Sequence, residues 1–274
     1  MPSAARGVHA FRKDKLAGET MHVDLTGRTA LVTGASSGFG RHFCQLLARS
    51  GAEVIAAARR TELLDSLVAE ITATGGKARA LRLDVADQDQ VIAALSGLER
   101  LDIAINNAGV ASPTKAIDME AAEWRGVFDV NVNGAFFVAR EAARIMRKAQ
   151  TGGSIINIAS ITGLRTALAA SAYAPSKAAV IHMTKTLAME WARFGVRVNA
   201  ITPGYIETDL NREFLQSAHG EQMRLRIPQR RFGEISDLDG PLLIRDDPFE
   251  GLRYEGDRIV LPDAPGLGVL ARTS

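Results

Sequence analysis

Short apolar runs alternate with amphipathic stretches along most of the chain. Arg28-Thr29-Ala30-Leu31-Val32-Thr33 reads as a buried strand, and after a glycine-rich turn Arg41 to Ser50 reads as an amphipathic helix capped by Gly51. Glu53 to Ala58 is a second strand, and Thr61 to Thr74 a helix stopped at Gly75-Gly76. Ala78 to Leu83 is a third strand, Asp87 caps a helix that runs to Glu99, and Leu101 to Ile105 is a fourth strand. Ser154 to Ala159 and Val196 to Ile201 supply a fifth and a sixth. The repeated β-α-β-α order predicts an α/β protein with one doubly wound parallel sheet and helices on both faces.

Two helical stretches in the second half carry internal signals. Glu120 to Gln150 is interrupted by Val130-Asn131-Val132-Asn133-Gly134, and asparagine and glycine are poor helix formers, so a kink or break is expected there. The other helix ends at Phe194-Gly195 and contains Pro175. Proline is tolerated only in the first turn, which places the helix start near Ser171.

In a sheet of this kind ligands lie beyond the carboxyl ends of the strands, and Gly34, Arg59, Asp84 and Asn107 all fall at such ends. Gly34-Ala35-Ser36-Ser37-Gly38-Phe39-Gly40 joins the first strand to the first helix. That arrangement aims helix N-terminal N–H groups at a pyrophosphate. Gly34 permits the tight turn, Gly38 lets the backbone approach phosphates, and Gly40 lets helix and strand pack closely. About twenty positions further on, a dinucleotide fold places the residue that selects the ribose. Here Ala58 is followed by Arg59 and Arg60, with no carboxylate for a free 2′-hydroxyl. An arginine suits a 2′-phosphate, which favours NADP over NAD.

Tyr173 and Lys177 are four residues apart on one helix and share a face. An ammonium beside a phenol favours the phenolate, so the pair is expected to pull the phenol pKa toward neutral and to exchange a proton with a substrate oxygen.

Composition narrows the remaining choices. The chain has 274 residues, 46% hydrophobic and 23% charged, which suits one large domain with a substantial core. A formal net charge of +2 offers no electrostatic footprint for nucleic acid. The single cysteine, Cys44, excludes an intrachain disulfide, fits a reducing cytoplasmic compartment, and is read as a small buried residue. No apolar run reaches membrane-span length, so no membrane partner is expected. The histidines are scattered, and no catalytic metal is expected.

Thr33-Gly34-x-x-x-Gly38-x-Gly40, Asn106-Asn107-Ala108-Gly109, Ser160, Tyr173-x-x-x-Lys177 and Pro203-Gly204, in that order, resemble the short-chain dehydrogenase/reductase family over roughly residues 23 to 245. The resemblance implies a single-domain Rossmann fold with a seven-stranded parallel sheet, and hydride transfer between a nicotinamide cofactor and a ketone or aldehyde/secondary alcohol pair. It implies that Tyr173 is the general acid of reduction and base of oxidation. Lys177 is implied to lower the phenol pKa and hold the nicotinamide ribose. Ser160 steadies the substrate oxygen, and Asn131 holds a water that links Lys177 to solvent. Cofactor contacts are implied at Gly34, Ser36, Ser37, Gly38, Phe39, Gly40, Arg59, Asp84, Val85, Asn107, Ala108, Gly109, Pro203, Gly204, Ile206 and Thr208, besides Tyr173 and Lys177. A homodimer through the two long helices, or a homotetramer, is implied as well.

The segment from Tyr205 to about Gly233 is expected to cover the substrate, with Phe214, Leu215 and Met223 as wall residues and Ile161, Leu164 and Leu168 opposite them. That lining suggests an apolar secondary alcohol or ketone, while Arg165 faces a carboxylate or solvent. Three competing readings remain: a nucleotide-binding protein without turnover, an NAD-preferring dehydrogenase, and an isomerase or dehydratase using the same acid–base group.

Both ends depart from the family pattern. Residues 1 to 22 mix basic and acidic side chains without helical periodicity and are expected to be a mobile extension, with Met21 as an alternative start. Residues 23 to 274 form the expected single domain. In its atypical segment, residues 245 to 274, Pro248 stops a helix early, Arg258 to Leu261 is the candidate seventh strand, and Asp263-Ala264-Pro265 stands where the family has Asp-Gly-Gly. The tail from Ile259 to Val269 resembles the terminal segment of enolase-superfamily proteins, which suggests a fusion, readthrough or frame change in the gene.

Overall fold

The computed structural model describes residues 23–167, 170–208 and 211–239 and four short strands beyond them. Strands β1 (Thr29–Thr33), β2 (Glu53–Ala58), β3 (Lys77–Arg82), β4 (Ile103–Asn106), β5 (Gly153–Ile158) and β6 (Val196–Ile201) form one parallel sheet in the order β3-β2-β1-β4-β5-β6. The order reverses between β1 and β4, the point at which a doubly wound sheet opens a crevice at its carboxyl edge.

Alternate residues of the central strands feed two separate cores, so these strands read as continuous apolar runs. On one face Ala30, Val32, Val54 and Ala56 pack with α1 (Gly38–Arg49) and α2 (Thr61–Ala73) through Phe43, Leu47, Leu64 and Leu67. On the other, Leu31, Ile55, Ala104 and Ile155 meet α3 (Gln88–Ser96), α5 (Ala135–Ala149) and α6 (Tyr173–Trp191) through Val91, Val138, Met146 and Leu187. Asp87 caps α3 as expected, its carboxylate accepting from Gln90 N at 3.0 Å.

The expected break in the long helix is a change of helix type. Between α4 (Ala121–Phe128) and α5 the residues Asp129–Gly134 form a π-helical turn. Gly134 packs against Val85 so closely that any side chain there would strike it. Helix α6 begins at Tyr173, two residues later than expected, with Pro175 in its first turn.

Among the described residues the main sheet has six strands, one fewer than the seven expected. Arg258–Val260 pairs antiparallel with Arg253–Glu255, and Phe249–Glu250 pairs antiparallel with Leu270–Ala271. Only Gly256 and Asp257 separate Glu255 from Arg258, a spacing and composition that favour local hairpin pairing. Joining a parallel sheet needs a much longer crossover. Residues 1–22, Leu168, the segment 240–248 and Asp263-Ala264-Pro265 lie outside the described residues.

Candidate active site

A cleft of about 560 Å³ runs along the carboxyl edge of the sheet, across the β1/β4 switch point. Almost every residue expected to touch a cofactor lines it. Gly34, Ser36, Ser37, Gly38 and Phe39 come from the turn after β1, Arg59 from the end of β2, and Asp84 and Val85 from the end of β3. Asn107, Ala108 and Gly109 follow β4, while Pro203, Gly204, Ile206 and Thr208 follow β6.

The turn is built for close approach. Gly34 has φ of 66°, a left-handed conformation that a larger residue adopts only with strain, and its Cα faces Ala108. Gly40 is absent from the cleft lining; it lies beneath the turn, where a Cβ would collide with the Gly34 carbonyl and the Asn107 amide. Asn107 Nδ2 donates to the carbonyls of Thr33 at 3.0 Å and Gly34 at 3.3 Å, and Thr33 Oγ1 accepts from the backbone of Asn107 and Ala108, each at 3.1 Å. These bonds lock the glycine turn to the end of β4. Ser37 precedes α1 without a side-chain capping bond, which leaves first-turn N–H groups for an anion at the cleft.

Of the two arginines after β2, Arg60 is the one that reaches the turn. Its Nη2 donates to Ser36 Oγ at 2.8 Å and Ser37 Oγ at 3.1 Å. Arg59 is 67% exposed and lies 3.9 Å from the Asp84 carboxylate. Both arginines line the cleft, so the basic wall has two members where the sequence pointed to one.

At the far end stand Ser160, Tyr173 and Lys177. The Tyr173 phenol stands beside the Ser160 hydroxyl, and Ser160 Oγ accepts from Thr162 N at 3.1 Å and Thr162 Oγ1 at 2.9 Å. Lys177 is 4% exposed; its Nζ donates to the Ile158 carbonyl at 2.7 Å and stands 5.6 Å from the centroid of the Tyr173 ring. Burial pushes the lysine amine down to about 8. Burial also pushes the Tyr173 phenol up, against the opposing hydrogen bond from Ser160. The expected drop of the phenol toward neutral is therefore reversed here: desolvation of the phenolate outweighs the help it receives.

Asn131 does not line the cleft. It is 1% exposed in the π-helical turn, where its Oδ1 accepts from Val110 N at 2.8 Å while its Nδ2 donates to Val110 O and Ser176 Oγ, both at 2.9 Å. Its side-chain amide thereby ties the π-helical turn to Val110 and Ser176. Tyr205, the first residue of the segment expected to cover the substrate, lines the cleft; Val110, whose backbone Asn131 holds, and Ala111 line it as well and were missed by sequence reasoning. No chemical signal marks such residues; only the path of the loop brings them in.

Of the segment expected to cover the substrate, Tyr205, Ile206, Thr208 and Asn211 line the cleft, while the named apolar walls stand elsewhere. Leu164 and Phe214 are exposed, Leu215 is buried under the one-turn helix α7 (Arg212–Leu215), and Ile161 and Met223 do not line the cleft. A single helical turn cannot hold two consecutive apolar residues on one face. Cys44 is buried, with its thiol pushed up by burial, in keeping with a packing role. Among the described residues no cluster of three metal-ligating side chains occurs, and no helix is long and apolar enough to cross a membrane.

The family model for short chain dehydrogenase matches residues 28–218. The chain is 36% identical over 230 residues to a 3-oxoacyl-[acyl-carrier-protein] reductase of Synechocystis sp., covering 82% of this chain and 91% of that protein. It is likewise 36% identical over 221 residues to a gluconate 5-dehydrogenase of Gluconobacter oxydans, covering 79% and 86%. A crystal structure of a gluconate 5-dehydrogenase from Burkholderia cenocepacia, in complex with NADP and tartrate, superposes with a TM-score of 0.77 at 33% identity, covering 81% of this chain and 89% of that one. Sheet order, glycine turn and family match agree over the same span, and the chain belongs to the short-chain dehydrogenase family, oxidoreductases that act on CH–OH and keto groups.

Proposed function

We propose that this protein is an NADP(H)-dependent oxidoreductase that interconverts a ketone or aldehyde and a secondary alcohol, with Tyr173 as the proton-transferring group. The observation that carries the reading is the meeting of the Tyr173–Ser160 pair and the buried Lys177 in the same cleft as the glycine turn.

The residues present fit the cofactor. Gly34, Ser36, Ser37, Gly38 and the first N–H groups of α1 suit the pyrophosphate, and Arg59 with Arg60 suits the 2′-phosphate. Asp84 and Val85 lie on the adenine side, and Asn107, Ala108 and Gly109 form the wall. Tyr173 and Lys177 serve the nicotinamide ribose, while Pro203, Gly204, Ile206 and Thr208 serve its carboxamide. When bound, the nicotinamide supplies or accepts the hydride. The protein's own groups manage the proton. In reduction the Tyr173 hydroxyl donates to the carbonyl oxygen while Ser160 donates a second hydrogen bond to it. The Lys177 ammonium, close to the ring, stabilises the phenolate that results. The Tyr173 phenol is protonated at neutral pH and so holds the proton that reduction needs. Solvent returns the proton through Lys177 and a water on the Asn131 main chain.

Val110, Ala111 and Tyr205 give the substrate end an apolar lining, which supports an apolar ketone. The NADP-bound structure of a similar gluconate 5-dehydrogenase supports the cofactor assignment. Apolar surface on the long helices, with Trp124 40% and Met189 83% exposed, supports self-association as a homodimer. The test is a panel of ketones and aldehydes with NADPH or NADH, followed by nicotinamide absorbance. NADPH oxidation that depends on the carbonyl compound and exceeds the NADH rate is the expected result. NADPH binding without turnover on any carbonyl would instead leave a nucleotide-binding protein.

A further inference from the structure

Beneath the cleft, a chain of buried polar side chains crosses the sheet without touching the cavity. Asn106 Nδ2 donates to Asn157 Oδ1 at 2.8 Å, Asn157 Nδ2 donates to Thr184 Oγ1 at 2.8 Å, and Thr184 Oγ1 donates to the Val180 carbonyl at 2.7 Å. Asn106 Nδ2 also donates to the Ala135 carbonyl at 3.1 Å. Asn106 and Thr184 are 5% exposed and Asn157 is 0% exposed. None of the three lines the cleft.

Their placement is unusual for a core. Asn106 and Asn157 are paired neighbours in the parallel register of β4 and β5. Two residues earlier on each strand stand Ala104 and Ile155, both in the apolar layer under α5 and α6. The two-residue period puts the asparagines on that same apolar face. Asn106 Oδ1 has no partner, and it is the only such buried side-chain atom among the described residues. A buried polar network with an unpaired member is less favourable than an apolar core of the same shape. Stability therefore does not account for the chain of bonds; directionality does.

Each link meets an element that carries part of the proposed proton-transfer site. Asn106 ends β4, just before Asn107-Ala108-Gly109. Asn157 lies three residues before Ser160, and its neighbour Ile158 accepts from Lys177. Thr184 lies on α6, two turns beyond Lys177. Ala135 directly follows the π-helical turn that holds Asn131.

We infer that Asn106, Asn157 and Thr184 are positioning residues that set the axial register of α6 against β5, and so the placement of Tyr173 and Lys177 relative to Ser160 and Asn131. An apolar layer carries no directional bond between α6 and β5, whereas the Asn157–Thr184 bond, with its asparagine held by Asn106 and its hydroxyl held by the Val180 carbonyl, fixes one setting. The inference rests on the reading of Tyr173 and Lys177 as the acid–base pair.

The test compares Thr184→Val with Thr184→Ser in the full-length protein, on a carbonyl substrate from the panel. NADPH affinity is measured by fluorescence titration, alongside kcat, KM and the pH profile of reduction. Thr184→Val is expected to lower kcat by about tenfold and to shift the alkaline limb of the profile by about half a unit, with NADPH affinity within about twofold. Thr184→Ser is expected to restore both. Wild-type kcat and pH profile in Thr184→Val overturn the inference, whatever its melting temperature. If that variant does not fold, Asn157→Leu combined with Thr184→Val replaces the donor and acceptor together. Folded and slow supports positioning; folded at the wild-type rate, or failure to fold again, overturns it. Tyr173→Phe run in parallel separates the two levels: if it turns over normally, the acid–base reading itself has failed.

Discussion

Asn131 and Ser176 are joined by a hydrogen bond of 2.9 Å from the asparagine Nδ2 to the serine Oγ. Ser176 passes the contact on, donating to the Tyr173 carbonyl at 2.7 Å. The π-helical turn is thereby fastened to the first turn of the helix that carries Tyr173 and Lys177. Ser176 is 0% exposed, so its hydroxyl has no water to replace these partners. Ser176→Ala leaves an Asn131 N–H without that acceptor and is expected to cost about 1–2 kcal/mol. Denaturant unfolding measures the loss, and kcat is expected to fall with it as Tyr173 loosens.

Arg60 reaches the glycine turn through two serine hydroxyls, whereas Arg59 is mostly in solvent. On the proposed reading a 2′-phosphate bound there would take over the Arg60 donor. Arg60→Ala is expected to weaken NADPH binding by about tenfold or more and to leave NADH within about threefold. Arg59→Ala is expected to have the smaller effect on that ratio. Titration of each variant with both cofactors checks the order.

The two buried ionisable groups set the pH dependence. Burial raises the Tyr173 phenol, so the phenolate forms only in the alkaline range, and the rate of alcohol oxidation is expected to climb with pH there. Lys177 is lowered to about 8 in the folded protein from 10.5. Below about pH 8 both folded and unfolded chains hold its proton, and the full cost of burying the ammonium is present. Between about 8 and 10.5 the unfolded chain holds more protons, so the contribution of this group to stability rises with pH. Lys177→Met removes that dependence. The stability difference between wild type and Lys177→Met is expected to shift toward wild type by up to about 3 kcal/mol from pH 7 to pH 10.5, read from denaturant midpoints at each pH.

Gly40 has no room for even one methyl group, since its Cβ position is taken by the Gly34 carbonyl and the Asn107 amide. Gly40→Ala is expected to cost about 1–3 kcal/mol and to displace the turn, weakening cofactor binding along with stability. Normal melting and normal NADPH affinity in this variant would contradict the packing account.

Much of this architecture is written in local patterns. The bounds of β2 follow from an apolar run between breakers and those of β6 from apolar and polar residues alternating after Gly195, and the residues of the glycine turn meet Asp84 and Asn107 in one cleft because strand ends share an edge. The interruption at Asn131 was legible as a poor stretch of helix. Its π-helical form was not, because that form depends on Val110 and Val85, both distant in sequence. The direction of the Tyr173 shift was hidden for a similar reason: an i to i+4 spacing reports a neighbour but not how much water surrounds it. The reach of Arg60 to the glycine turn was hidden too, because it depends on hydroxyls more than twenty residues away in sequence. The hairpin of Arg253–Glu255 with Arg258–Val260 shows local pairing overriding a strand assigned by family likeness.

The central claim is that the Tyr173 hydroxyl transfers the proton, and single-turnover reduction by Tyr173→Phe tests it most directly. The account predicts that the variant binds NADPH as wild type does and reduces the carbonyl substrate at least about 100-fold more slowly. A Tyr173→Phe protein that reduces it at the wild-type rate would contradict the account.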